Sequence, residues 1–124
     1  MPAAHRFVFE YFQNFDFYKE LKTFKTGEYA YQIFENKDKS EGNLTTRIVC
    51  KDLLNCFHRW AKLYYNGSSL KLSTFIEQVA EVGIKQLEKR TRIRTGNARM
   101  VFEIKFRVVK KALNKMYPAL SVAD

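Results

Sequence analysis

The run from Lys51 to Gly67, KDLLNCFHRWAKLYYNG, constrains this chain more than any other stretch. Leu53, Leu54, Phe57, Trp60, Ala61 and Tyr64 recur at helical spacing, while Lys51, Asn55, Arg59 and Lys62 fall on the other side. An apolar stripe of that width predicts a helix with one face in a core. Asn66-Gly67 is the expected stop, because glycine takes the left-handed conformation that ends helices. A helix this apolar must pack on something, and the flanking segments must supply what covers it.

Before it, Leu44 to Val49 (LTTRIV) is β-branched and reads as a short strand. After it, residues 73–83 predict a second, shorter helix. Thr74 and Glu77 have capping-box spacing, Phe75, Val79 and Val82 point inward, and Gly83 closes the end. A hairpin is expected next. With Gly96-Asn97 as a two-residue turn, Ile93 faces Met100, Thr91 faces Phe102 and Leu87 faces Phe106. Phe102, Ile104, Phe106 and Val108 then continue one apolar face, and Arg90, Arg92, Arg94, Arg99, Lys105 and Arg107 ride on the opposite one. Residues 108–117 predict a basic amphipathic helix, with Val109, Ala112, Leu113 and Met116 inward and Lys110, Lys111 and Lys115 outward, ending before Pro118. Residues 119–124 are expected to be loose.

The N-terminal third is aromatic: 11 of the 19 aromatic residues precede residue 35. The periodicity of residues 7–24 favours a helix, although Phe7, Phe9 and Tyr11 also alternate as in a strand. Residues 28–37 place Tyr29, Ala30, Ile33 and Phe34 on one face of a second short helix, and residues 36–43 read as an exposed polar loop. Three uses of this region stay open: core, a homodimer interface, or a docking face for a larger replication or transcription protein.

Charge adds the functional hint. The net charge is +9, and the segment from Ile84 to Lys115 carries all of it: eleven Lys and Arg residues against Glu88 and Glu103. The eleven remaining cations are balanced by eleven carboxylates elsewhere. Segregated charge makes a local field that attracts a polyanion. Arg90, Arg92, Arg94, Arg99, Lys105, Arg107, Lys110, Lys111 and Lys115 are therefore the candidate nucleic-acid contacts. The short helix 73–83 would present Thr74, Glu77, Gln78 and Glu81. Gln78 can pair with an adenine edge, but two carboxylates repel phosphates, so the expectation is wing-led backbone binding of modest specificity.

Other chemistries find no constellation. Cys50, Cys56 and His58 lack the fourth ligand of a closed zinc site, and Cys56 and His58 point to nearly opposite sides of a helix. His5, in an end expected to fray, and His58, on a helix surface, have no nucleophile or paired carboxylate at recognisable spacing, so no enzyme, cofactor or metal is expected. Trp60 and Phe57 read as core, with Tyr65 the better-exposed aromatic. Two cysteines do not make the framework of a small secreted protein. No stretch approaches a membrane span, and residues 1–6 lack a signal-peptide pattern, so an intracellular location without a membrane role is expected.

Strand, helix, short helix and two-stranded wing is the order of elements in a winged-helix domain. The run IVCKDLLNCFHRWAK, then LSTFIEQVAEVGI, then KRTRIRTGNARMVFEIKF resembles the C-terminal winged-helix domain of phage and large-DNA-virus primase-helicases of the poxvirus type. The resemblance rests on Lys51, Asp52, Leu53, Phe57, Trp60, Leu72, Ser73, Phe75, Ile76, Arg90, Thr91 and Arg92, and covers residues 44–107. It implies a non-enzymatic nucleic-acid contact of viral or mobile-element origin. No phosphate-binding Gly-x-x-x-x-Gly-Lys-Ser/Thr loop is present. The expected protein is thus α+β: a winged helix over 44–108 with a two- to three-stranded antiparallel wing. An aromatic helical extension occupies 1–43 and a basic helix 109–118. The expected partner is DNA in preference to RNA. The competing expectation is an interaction module that docks an acidic protein.

Overall fold

The computed structural model describes residues 1–12, 31–35, 44–65, 67, 69–91 and 98–120. It is an α+β arrangement in which helices pack on an antiparallel sheet. Among the described residues the order is α1 (Ala3–Phe12), β1 (Tyr31–Glu35), β2 (Leu44–Val49), α2 (Cys50–Tyr64), α3 (Leu72–Glu81), β3 (Lys85–Gln86), β4 (Val101–Lys105) and α4 (Phe106–Met116), with a 3-10 turn at Pro118–Leu120. The sheet runs β1-β2-β4-β3.

A chain of aromatic rings holds four of these elements together. Phe7 of α1 meets Phe57 of α2 edge to face at 5.6 Å, Phe57 meets Phe75 of α3 at 5.3 Å, and Phe75 meets Phe102 of β4 at 6.0 Å. All four are buried. Each ring removes a large apolar area from water and adds an edge-to-face or tilted contact, the geometries the ring quadrupoles favour. Trp60 packs beside them and donates its indole N–H to Glu10 of α1 at 3.0 Å. Phe7 and Val8 of the N-terminal helix therefore belong to the same core as the central helix.

Two strands run straight into helices. Val49 ends β2 and precedes α2, and Lys105 ends β4 and precedes α4. The Cys50 N–H bonds to the Met100 carbonyl at 3.0 Å, so α2 begins against the strand that α4 leaves. At the end of α3 the Gly83 N–H bonds to Ala80 O and the Ile84 N–H to Val79 O, the paired pattern of a Schellman cap. Gly83 has φ of +90°, and a Cβ there would lie 3.1 Å from Val108 Cγ1, so α3 and α4 approach over a bare backbone.

Several expectations need correction. Tyr31 to Glu35 is a strand, not part of a helix over 28–37, and it widens the sheet to four strands by pairing Tyr31 with Ile48 through Glu35 with Leu44. Its pattern fits both periods, and the backbone partners offered by β2 decide between them. The N-terminal helix begins at Ala3, and residues 13–24 of the expected helix lie outside the described residues. α3 starts at Leu72, with Lys71 as its cap and no side-chain capping bond, so the Thr74 and Glu77 box does not form.

The wing register also differs. Thr91 pairs with Arg99, where Phe102 was expected, and the Leu87 N–H bonds to Val101 O, where Phe106 was expected. Three residues, 88–90, oppose Met100 alone, which is a bulge. An odd shift turns side chains over. Leu87 accordingly packs with Val49 and Val101 in a small cluster apart from the main core. Phe106 and Arg107 leave the strand and form the first turn of α4. Val108 and Met116, expected inward, are exposed at 43% and 40%.

Candidate nucleic-acid interface

Alternation along β4 divides it cleanly. Phe102 and Ile104 are buried against the helices with Met100 packed beside them, while Arg99, Val101, Glu103 and Lys105 occupy the other side. Pairing extends that outer side, since Arg47 of β2 and Lys85 of β3 both stand opposite Glu103. Arg47 closes on Glu103 with its Nε at 3.0 Å and a terminal nitrogen at 2.9 Å. Lys105 lies 3.8 Å from the same carboxylate and stays largely exposed. One carboxylate thus meets Arg47 and Lys105, with Lys85 opposite it on the ladder, and its single charge cannot neutralise all three. Arg47 escaped the sequence reading; its odd position in LTTRIV, opposite in parity to buried Ile48, was the available signal.

Arg99 and Arg90 are both exposed, at and beside the Thr91–Arg99 bridge. Thr91, rather than Arg90, shares a ladder position with Arg99, so Arg90 is one residue off the expected common face. Arg92, Arg94 and the Gly96-Asn97 turn lie outside the described residues. On α4, Arg107, Lys111 and Lys115 are exposed and follow one another at four-residue intervals, a single stripe down the helix. Lys110 is not fully outward as expected: it is partly buried, and its ammonium sits 5.1 Å from the centre of the Phe106 ring, a cation–π contact. The start of α4 has no acidic residue in its first turn and no side-chain cap, and Lys105 and Arg107 both lie at this end of the helix.

The short helix presents a different surface. Glu77 and Glu81 are exposed as expected, but Gln78 is not the open side chain that base reading would need. It is partly buried, and its Oε1 is enclosed with no hydrogen-bond partner. The cause is α1, which packs across this part of α3.

That contact centres on His5, which is buried and not in a fraying end. Its Nε2 lies 2.9 Å from Gln78 O and 3.3 Å from Glu81 Oε1, both acceptors, so Nε2 carries the proton and donates. Nδ1 then accepts from the Tyr117 hydroxyl at 2.6 Å. Burial, helped by the negative charge of Glu81, pushes the Tyr117 phenol up, which keeps it protonated for that bond. One imidazole thereby ties α1 to the end of α3 and to the residue that follows α4. The sequence carries no sign of it, because the three partners lie far apart in the chain.

His58 is partly buried, and its Nε2 bonds to the Leu70 carbonyl at 3.1 Å. Cys50 and Cys56 are buried free thiols. Six residues along one helix separate them by about 9 Å of rise, too far for a disulfide. Burial raises the Cys50 thiol to about 12, so it stays protonated and unreactive at neutral pH. Among the described residues no group of three or more His, Cys, Asp and Glu could hold a metal, and no helix is long and apolar enough to cross a membrane. No protein-family model, curated protein or solved structure matches the chain.

Proposed function

We propose that the protein binds nucleic acid, DNA in preference to RNA, as a winged-helix domain that grips the phosphate backbone with its outer sheet face and α4. The order β2, α2, α3, β3, β4 is compatible with a winged helix whose wing lies between β3 and β4. The observation that carries the reading is the position of the cations. Arg99 and Lys105 on the outer side of β4 and Arg107, Lys111 and Lys115 down α4 are exposed, while Glu103 is engaged by Arg47. α3, in the position of a recognition helix, offers Glu77 and Glu81 and an enclosed Gln78, which favours backbone contact over base reading.

Titration of duplex DNA at two salt concentrations tests this. Each phosphate neutralised contributes about 0.9 to the slope of log affinity against log salt. Replacing Lys111 and Lys115 by Ala should lower that slope by roughly two such increments. Absence of binding at low salt, or a slope that these replacements leave unchanged, overturns the proposal.

A further inference from the structure

The end of α2 is built unlike any other surface among the described residues. Leu63 and Tyr64 are each 66% exposed and Tyr65 is 40% exposed, three consecutive large side chains at one helix terminus. Tyr64 is in phase with buried Leu53, Phe57 and Trp60, yet the helix has run past the edge of the core by the time it is reached. Apolar side chains scattered singly over a surface are ordinary, but a contiguous group marks a contact.

We propose that this terminus is a stacking platform for unpaired nucleobases, which makes the partner a nucleic acid with a single-stranded stretch; the inference rests on the nucleic-acid reading above. Tyr65 stacks on Trp60 with ring centres 5.7 Å apart and planes 21° from parallel. Trp60 is itself held by the hydrogen bond to Glu10 and by the Phe7 and Phe57 rings. The exposed tyrosine is therefore backed by a fixed aromatic stack, and a base that settles on it orders little that was free before. Beside it, Gly67 adopts φ of +79° with nothing within 4 Å of where a Cβ would be, which leaves open space at the platform.

Charge favours a polyanion over an apolar protein surface. Lys51, Asn55, Arg59 and Lys62 share one face of α2, and Lys62 is three residues before Tyr65. Among the described residues, α2 carries Asp52 in its first turn, and Glu10 of α1 is bonded to Trp60 and to Arg6. The first turn of α2 lies beside residue 100, just before β4. Cys50, next to Lys51, donates to the carbonyl of Met100, next to Arg99. From there to Tyr65 the helix rises about 21 Å. A cationic track that ends on stacked aromatics is the pairing that single-strand binders use, with the backbone held by charge and the bases by stacking.

The test compares a short oligothymidylate, an abasic strand of equal length and a duplex, binding each to the full chain and to Tyr64→Ala, Tyr65→Ala and Tyr65→Phe. Trp60 is the only tryptophan, so its emission reports on the stack directly. Tyr65→Ala should weaken oligothymidylate binding by at least about five-fold, the low end of what one stacked base contributes. Tyr65→Phe should retain binding, and duplex affinity should not change. Trp60 emission should respond to oligothymidylate and not to the abasic strand. Equal affinity for the two single strands, or no loss in Tyr65→Ala, overturns the inference, as does self-association that Tyr64→Ala abolishes with single-strand binding intact. If duplex binding still falls with Lys111 and Lys115, only the platform is wrong; if no nucleic acid binds at all, the broader proposal fails with it.

Discussion

α3 and α4 are near equals in length and in what they bury. One covers Phe75 and Val79, the other Phe106, Val109 and Leu113, and the two approach each other where Gly83 meets Val108. Their outward faces differ completely: Glu77 and Glu81 on α3, Arg107, Lys111 and Lys115 on α4. Two helices that contribute similarly to the core can therefore carry opposite charge at the surface. Burial explains why each is a helix, and it says nothing about what either meets. Under the proposed winged-helix reading, the helix that would read DNA carries the charge least suited to approach it.

The largest effect expected from this pair lies in what the helices share. Phe75→Ala removes a ring that touches both Phe57 and Phe102 and should cost about 3–5 kcal/mol in chemical denaturation. If the loss is under about 1 kcal/mol, the ring chain is not what joins α3 to the sheet. Next comes the joint itself. Gly83→Ala would combine a left-handed φ with a Cβ 3.1 Å from Val108, and about 1–3 kcal/mol should be lost. A neutral outcome would mean that α3 and α4 can shift apart freely.

His5→Ala should cost a comparable or slightly smaller amount, about 1–3 kcal/mol, because the Gln78 carbonyl and the Tyr117 hydroxyl lose their buried partner. Thermal unfolding of His5→Ala beside Tyr117→Phe would show whether the two losses are shared, as one hydrogen-bonded unit requires. The smallest effects on stability, within about 0.5 kcal/mol, are expected for the surface charges. There the readout is binding. Lys111→Glu with Lys115→Glu should weaken duplex affinity strongly, whereas Glu77→Gln with Glu81→Gln should leave it unchanged or strengthen it. Equal losses from both pairs would erase the distinction between the helices.

Much of the core was legible because it depended on one period at a time. α2 follows from its apolar stripe, α3 from Phe75, Val79 and Gly83, and the inner face of β4 from Phe102 and Ile104. β1 was not, since Tyr31 to Glu35 satisfies helix and strand spacing equally, and the hydrogen-bonding edge of β2 is invisible in the sequence. The wing register failed for a related reason. A two-residue turn at Gly96-Asn97 is good local chemistry, but the bulge at 88–90 and the coiling of Phe106 into α4 are set by packing. Of the candidate contacts, those on β4 and α4 keep the exposure expected of them, apart from Lys110, which turns toward Phe106. Gln78 does not, because α1 packs over it.

By itself the sequence determined three things: a helical apolar stripe around Trp60, an alternating strand, and a net charge of +9 confined to residues 84–115. Each is a property of neighbours in the chain, where periodicity and charge can be counted directly. Tertiary structure alone decided that His5 joins three elements, that Arg47 claims Glu103, and that α2 outruns the core to leave Tyr64 and Tyr65 uncovered. Those outcomes depend on distances between residues remote in sequence, and on where the core happens to end.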